Sequence, residues 1–266
     1  MQQMKKLGFG MMRLPLLNEE DKKSIDKKTV CQMVDTFMER GFTYFDTAYM
    51  YHEYESERAM KDVLVTRKDR DSYTLASKLP VMQLKEKEDM ERIFNEQREK
   101  CGVEYFDYYL LHALDAEHYK TVKRLDCFGF AMQKKAEGKV KHVGFSFHDS
   151  AEVLDQILTE HPEAEFVQLQ LNYLDWEDAK VQSRKCYETA VKHGKKVVVM
   201  EPVKGGTLAK LPKKAEDVLK ALHPDWSAAS WAIRFVASLE NVMVVLSGMS
   251  TPEQMDDNTA YMKEFE

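Results

Sequence analysis

Short apolar runs, aromatic or β-branched, alternate along the chain with stretches whose apolar positions recur at helical spacing. The first run covers residues 6–9. Residues 28–40 follow, with Val30, Met33, Val34, Phe37 and Met38 on one face and Gly41 as a stop signal. The same rhythm predicts strands at 44–46, 74–78, 108–112, 142–146, 166–172, 196–200 and 242–247. It predicts helices at 55–64, 87–100, 119–137, 151–161, 178–193, 228–239 and 252–265. Strand–helix alternation of this kind implies right-handed βαβ units and a parallel sheet, and eight units close a barrel. The expected fold is therefore a (β/α)8 TIM barrel, one domain over residues 1–266. The runs VVVM and VMVVL read as strands buried on both faces. A doubly wound open sheet is the runner-up, but no G-x-G-x-x-G follows the first strand.

Composition narrows the reading. A chain of 266 residues that is 44% hydrophobic and 32% charged is globular. Its net charge of −6 argues against nucleic acid or an anionic membrane as a partner. No apolar stretch approaches the roughly 18 residues of a transmembrane helix. The start MQQMKK leads straight into LGFG without a signal-peptide core. Cys31, Cys101, Cys127 and Cys186 are far apart and form no CxxC, as expected of reduced thiols in the cytoplasm. The sequence leaves the oligomeric state open.

Candidate chemistry gathers where the strands end. Asp46 closes FTYFD, Tyr51 follows in the next loop, Lys78 closes YTLASK and His112 closes YYLLH. In a closed barrel such residues meet around one mouth. There a Lys78 cation lowers the pKa of the Tyr51 phenol, Asp46 keeps that lysine charged, and His112 holds a carbonyl or relays a proton. Each residue alone is unremarkable; the joint spacing carries the signal. With its D-T-A-x-x-Y segment, strand-end Lys and strand-end His, the chain resembles the aldo-keto reductases, whose catalytic Asp, Tyr, Lys and His occur in this order.

The resemblance spans almost the whole chain and implies a reduced nicotinamide cofactor that delivers hydride to the carbonyl carbon. It implies cofactor contacts from Gly10 and Met11 of GFGMMRLP and from Ser146 of GKVKHVGFS, where Phe147 replaces the usual Asn. Gln170 of VQLQLNY matches the family's carboxamide-binding Gln, with Gln168 as the alternative. In VVVMEPVKGGTL, Met200 stands where the family has an aromatic residue, followed by Pro202, Lys204, Gly205 and Gly206 around the pyrophosphate. SGMSTPEQMDDN matches the adenosine end through Gly248, Ser250, Gln254, Asp257 and Asn258. The sequence is most similar to bacterial members that often carry a C-terminal iron–sulfur module, and it holds no such cysteine cluster.

The resemblance implies a small-molecule aldehyde or ketone as substrate, no metal, and NADPH as cofactor, with NADH as the alternative. Glu253, Asp256 and Asp257, without a basic residue from 248 to 258, keep the expected NADPH preference small, about tenfold. Two other classes stand beside this reading. One is a non-catalytic cofactor-binding or redox-sensing subunit of the same fold. The other is a barrel lyase using Lys78 as a Schiff-base nucleophile.

Overall fold

The structure is a computed structural model that describes residues 5–263 and 265; residues 1–4, 264 and 266 of the expected domain span and last helix lie outside the described residues. Eight parallel strands close into a barrel in sequence order. They are β1 (Leu7–Gly10), β2 (Tyr44–Asp46), β3 (Thr74–Leu79), β4 (Phe106–Leu114), β5 (Val140–Phe147), β6 (Phe166–Gln170), β7 (Lys196–Met200) and β8 (Val242–Ser247). Closure comes from β1, which pairs with both β2 and β8. Around it lie α1 (Lys27–Glu39), α2 (Ser56–Met60), α3 (Glu88–Cys101), α4 (Ala116–Leu125), α5 (Cys127–Ala136), α6 (Ala151–Glu160), α7 (Ser183–Lys192), α8 (Lys213–Leu222), α9 (Ala228–Ala237) and α10 (Pro252–Met262). The TIM-barrel expectation is met. Among the described residues no helix is long and apolar enough to cross a membrane.

The helices form for local reasons and stay for packing reasons. Asp26 caps α1 by accepting from the Thr29 amide, Val30, Met33, Val34 and Phe37 are buried, and Gly41 at φ 83° turns the chain into β2. Tyr44, Ala76, Leu110, Phe166, Val198, Val244 and Leu246 form a separate buried cluster drawn from six strands. Tyr108 of β4 meets Phe166 of β6 at 5.2 Å between ring centroids. These strands are not neighbours, so the contact crosses the lumen, which is a packed core below the mouth. Gly8 is required there: a Cβ would lie 2.8 Å from Leu246 and from Val244.

Four elements depart from expectation. The helix expected at 119–137 is two helices, α4 and α5, broken at Asp126, which takes φ 59° and caps the Gly129 amide. The helix expected from 178 begins at Ser183, because the Asp178 carboxylate accepts from the Lys180 and Val181 amides at 2.8 Å each and holds a turn. Strand β6 stops at Gln170 rather than Asn172, whose side chain bonds Asp175 at 2.8 Å. Helix α8 was not anticipated; none of its residues is buried, so propensity rather than a core stripe specifies it.

Candidate active site

Asp46 ends β2, Lys78 lies one residue before the end of β3, His112 lies two before the end of β4, and Tyr51 sits in the loop after β2. Barrel closure brings β2, β3 and β4 side by side. The Lys78 side chain is fully buried. Its Nζ donates to Asp46 Oδ1 at 2.6 Å, to the Thr47 carbonyl at 2.7 Å and to the Tyr51 hydroxyl at 3.3 Å. An ammonium has three N–H donors, and all are engaged. Burial alone would favour the neutral amine, but Asp46 and Tyr51 outweigh it and hold the Lys78 pKa above its ordinary value.

The Tyr51 phenol is pulled both ways. Burial pushes the Tyr51 pKa up, and the opposing pull of Lys78 does not bring it below the ordinary value. Tyr51 is therefore a protonated phenol at neutral pH, a donor ready to give its proton. Its ring meets that of His112 edge-on at 6.0 Å between centroids. Burial, with Lys78 and the nearby His148 and His118 adding to it, drives His112 down to about 3, so its imidazole is neutral. His112 Nδ1 and Asp46 Oδ2 are buried without a hydrogen-bond partner.

Two supports had no signal in the sequence. His52, beside Tyr51, accepts from the Leu14 amide at 3.2 Å through Nε2, and its Nδ1 lies 2.9 Å from the Lys22 carbonyl. That tautomer pins the loop after β2 to the loop after β1. Behind Lys78, Gln97 Nε2 donates to Glu57 Oε1 at 2.7 Å and to the Lys78 carbonyl at 3.0 Å, while Gln97 Oε1 accepts from Tyr109 at 2.7 Å. Buried polar side chains so interlinked fix the strand that carries the lysine.

Asp46, Tyr51 and His112 line a cleft of about 820 Å³ across the barrel mouth. Of the expected cofactor residues, Gly10, Ser146, Met200, Pro202, Gly205, Gly206, Gly248, Ser250, Gln254, Asp257 and Asn258 line it. Three do not. Met11 is fully buried in the core, and Met12 lines the cleft instead. Gln170 bends onto Asp175 at 3.0 Å, whereas Gln168 lines the cleft, pairs in register with Ser146, and leaves Oε1 buried without a partner. Lys204 pairs with the buried Asp175 carboxylate and lies outside the lining.

The cleft also holds residues that sequence reasoning missed. Arg13 and Glu201 form an ion pair at 3.4 Å between the loops after β1 and β7. Phe147 turns into the core while His148 lines the cleft, so the residue after the Phe-for-Asn exchange places a polar group there. Gly205 and Gly206, at φ 61° and 96°, turn the loop after β7 in a way L side chains resist. Orphaned polar atoms on Gln168, His112 and Asp46 in one cleft of this size fit a large polar ligand such as a dinucleotide. Among the described residues no group of His, Cys, Asp or Glu is placed to hold a metal ion.

The sequence matches the Aldo/keto reductase family over residues 6–266. No curated protein matches it significantly. Solved structures that share the fold include a thermostable aldo-keto reductase in complex with the inhibitor epalrestat, at 17% identity and TM-score 0.74, covering 98% of this chain and 90% of that one. An aldo-keto reductase from Klebsiella pneumoniae in complex with NADPH matches at 17% identity and TM-score 0.73, covering 97% and 86%. One from Bacillus halodurans in its holo form matches at 20% identity and TM-score 0.70, covering 96% and 85%.

Proposed function

The chain belongs to the aldo/keto reductase family, and from that membership we propose that it reduces an aldehyde or ketone to an alcohol with a reduced nicotinamide dinucleotide. The observation that carries this reading is the buried Lys78 ammonium, bonded to both Asp46 and the Tyr51 hydroxyl, two residues that line the cleft. The NADPH complex of the Klebsiella pneumoniae relative supports the cofactor class.

When bound, the nicotinamide supplies the hydride. Gln168 and Ser146, adjacent in register, would hold its carboxamide, the loop with Gly205 and Gly206 its pyrophosphate, and the β8–α10 segment its adenosine. Everything else is the work of the chain. Tyr51 gives its hydroxyl proton to the oxygen that gains negative charge. Lys78 stabilises the phenolate left behind, and Asp46 keeps Lys78 charged through the cycle. The neutral His112 donates to the substrate oxygen and orients it toward Tyr51. A Schiff-base role for Lys78 needs a neutral amine, and its three engaged donors with a raised pKa speak against one. A cytoplasmic setting belongs to the same reading and is supported by the four free cysteines.

Loss of the reduced-nicotinamide absorbance across a panel of aldehydes and ketones tests the proposal. Carbonyl-dependent turnover is the expected result. Tight dinucleotide binding with no turnover on any carbonyl would instead favour a non-catalytic subunit.

A further inference from the structure

The far end of the cleft, where β8 meets α10, is rich in acceptors and poor in donors. Ser250, Glu253, Gln254, Asp257 and Asn258 line it with Ser227. The Ser250 and Ser227 hydroxyls and the Asn258 side-chain amide are already committed, which leaves the Gln254 side-chain amide as a neutral donor. Ser250 Oγ donates to the Arg13 carbonyl at 2.7 Å, Ser227 Oγ to Asp257 Oδ2 at 2.7 Å, and Asn258 Nδ2 to Ser247 Oγ at 2.7 Å. Backbone amides of this turn are largely committed as well. The Ser250 amide donates to Gln254 Oε1 at 2.8 Å, the Gln254 amide to Thr251 Oγ1 at 3.3 Å, and Pro252 carries no amide proton. The Glu253 carboxylate bonds its own amide and the Thr251 hydroxyl, which hold its pKa below the usual carboxylate range. An intramolecular anion thus occupies the first turn of α10, where the helix dipole favours negative charge.

Cations do not reverse this. Among the described residues that line the cleft, Arg13 is the one lysine or arginine. It faces Glu201, and its side chain packs against Gly248 and Gly205 rather than against Glu253. Arg234 lies over the rings of Trp226 and Tyr261 and lines no part of the cleft. Arg40 is paired with Asp256.

We infer that this end accepts an adenosine ribose with a free 2′-hydroxyl and rejects a 2′-phosphate, so that the chain binds NADH in preference to NADPH, with Glu253 as the residue that sets the choice. This rests on the nicotinamide reading above and replaces the small NADPH preference expected from sequence. A carboxylate accepts a hydrogen bond from a ribose hydroxyl, as acidic residues do in NAD-binding sites, and repels the charge of a phosphate. Asp257 adds to that repulsion.

Isothermal titration calorimetry of the intact protein with NADH and with NADPH tests it. NADH is expected to bind tighter by about tenfold or more, and rising salt should narrow the gap. Glu253→Gln, an exposed substitution that leaves the barrel intact, should weaken NADH, strengthen NADPH and shrink their ratio. Tighter NADPH binding by the wild type, or a ratio unmoved in Glu253→Gln, overturns the inference and leaves the reductase reading standing. Failure of both dinucleotides to bind overturns the two together.

Discussion

Lys78 organises the chemistry of the site because burial gives it no alternative partners. Its three donors go to Asp46, Thr47 and Tyr51, and removing the carboxylate leaves a buried cation alone. Asp46→Asn is expected to lower stability by about 3–5 kcal/mol, read by denaturant unfolding. The same change bears on pH. Wild-type Tyr51 is protonated until the pH passes its raised pKa, above the ordinary 10.0, so carbonyl reduction should fall only as pH rises beyond that value. Asp46 raises both the Tyr51 and the Lys78 pKa. Its loss should therefore move the basic limb of the pH–rate profile to lower pH, and an unmoved limb would break the proposed coupling. His112, down at about 3, should contribute no acid limb above pH 5. The four polar residues were legible because each ends, or directly follows, an apolar run. Gln168 and Gln170 were not separable, since both sit on one face of β6. Only the fold brings Asp175 round to draw Gln170 away.

Elements were legible where periodicity and a stop signal agreed, and α1 with Asp26 and Gly41 is such a case. The break between α4 and α5 was hidden, because helical periodicity runs through Asp126 and only its left-handed backbone reveals the joint. Asp126 serves as C-cap of α4 and N-cap of α5. Asp126→Ala loses the cap and strains a positive φ, and should cost about 1–3 kcal/mol. Asp126→Gly accepts that φ and should cost only a few tenths of a kcal/mol. Thermal unfolding of the two variants checks the order: equal losses would show that backbone conformation is not what matters there. Helix α8 escaped notice for the opposite reason. Val218 and Leu222 stay 62% and 64% exposed, so no core-facing stripe announced it.

At the scale of the molecule, closure of the barrel makes residues 32 apart in sequence hydrogen-bonding partners in Asp46 and Lys78. The same closure brings the loops after β1 and β7 within an ion pair of each other through Arg13 and Glu201. Strand count and order were legible, because eight apolar runs alternating with helical patterns have one compact parallel solution. The ends of the cleft were less so, since they depend on which side chains on different loops engage each other, as Lys204 does with Asp175. The central claim is that Tyr51 gives the proton in a nicotinamide-dependent carbonyl reduction. The most direct measurement is the carbonyl-dependent rate of dinucleotide oxidation by Tyr51→Phe beside the wild type, with dinucleotide binding measured on both. The account predicts a fall of about 10²–10⁴-fold in rate with binding retained. Reduction by Tyr51→Phe at a near wild-type rate would contradict it.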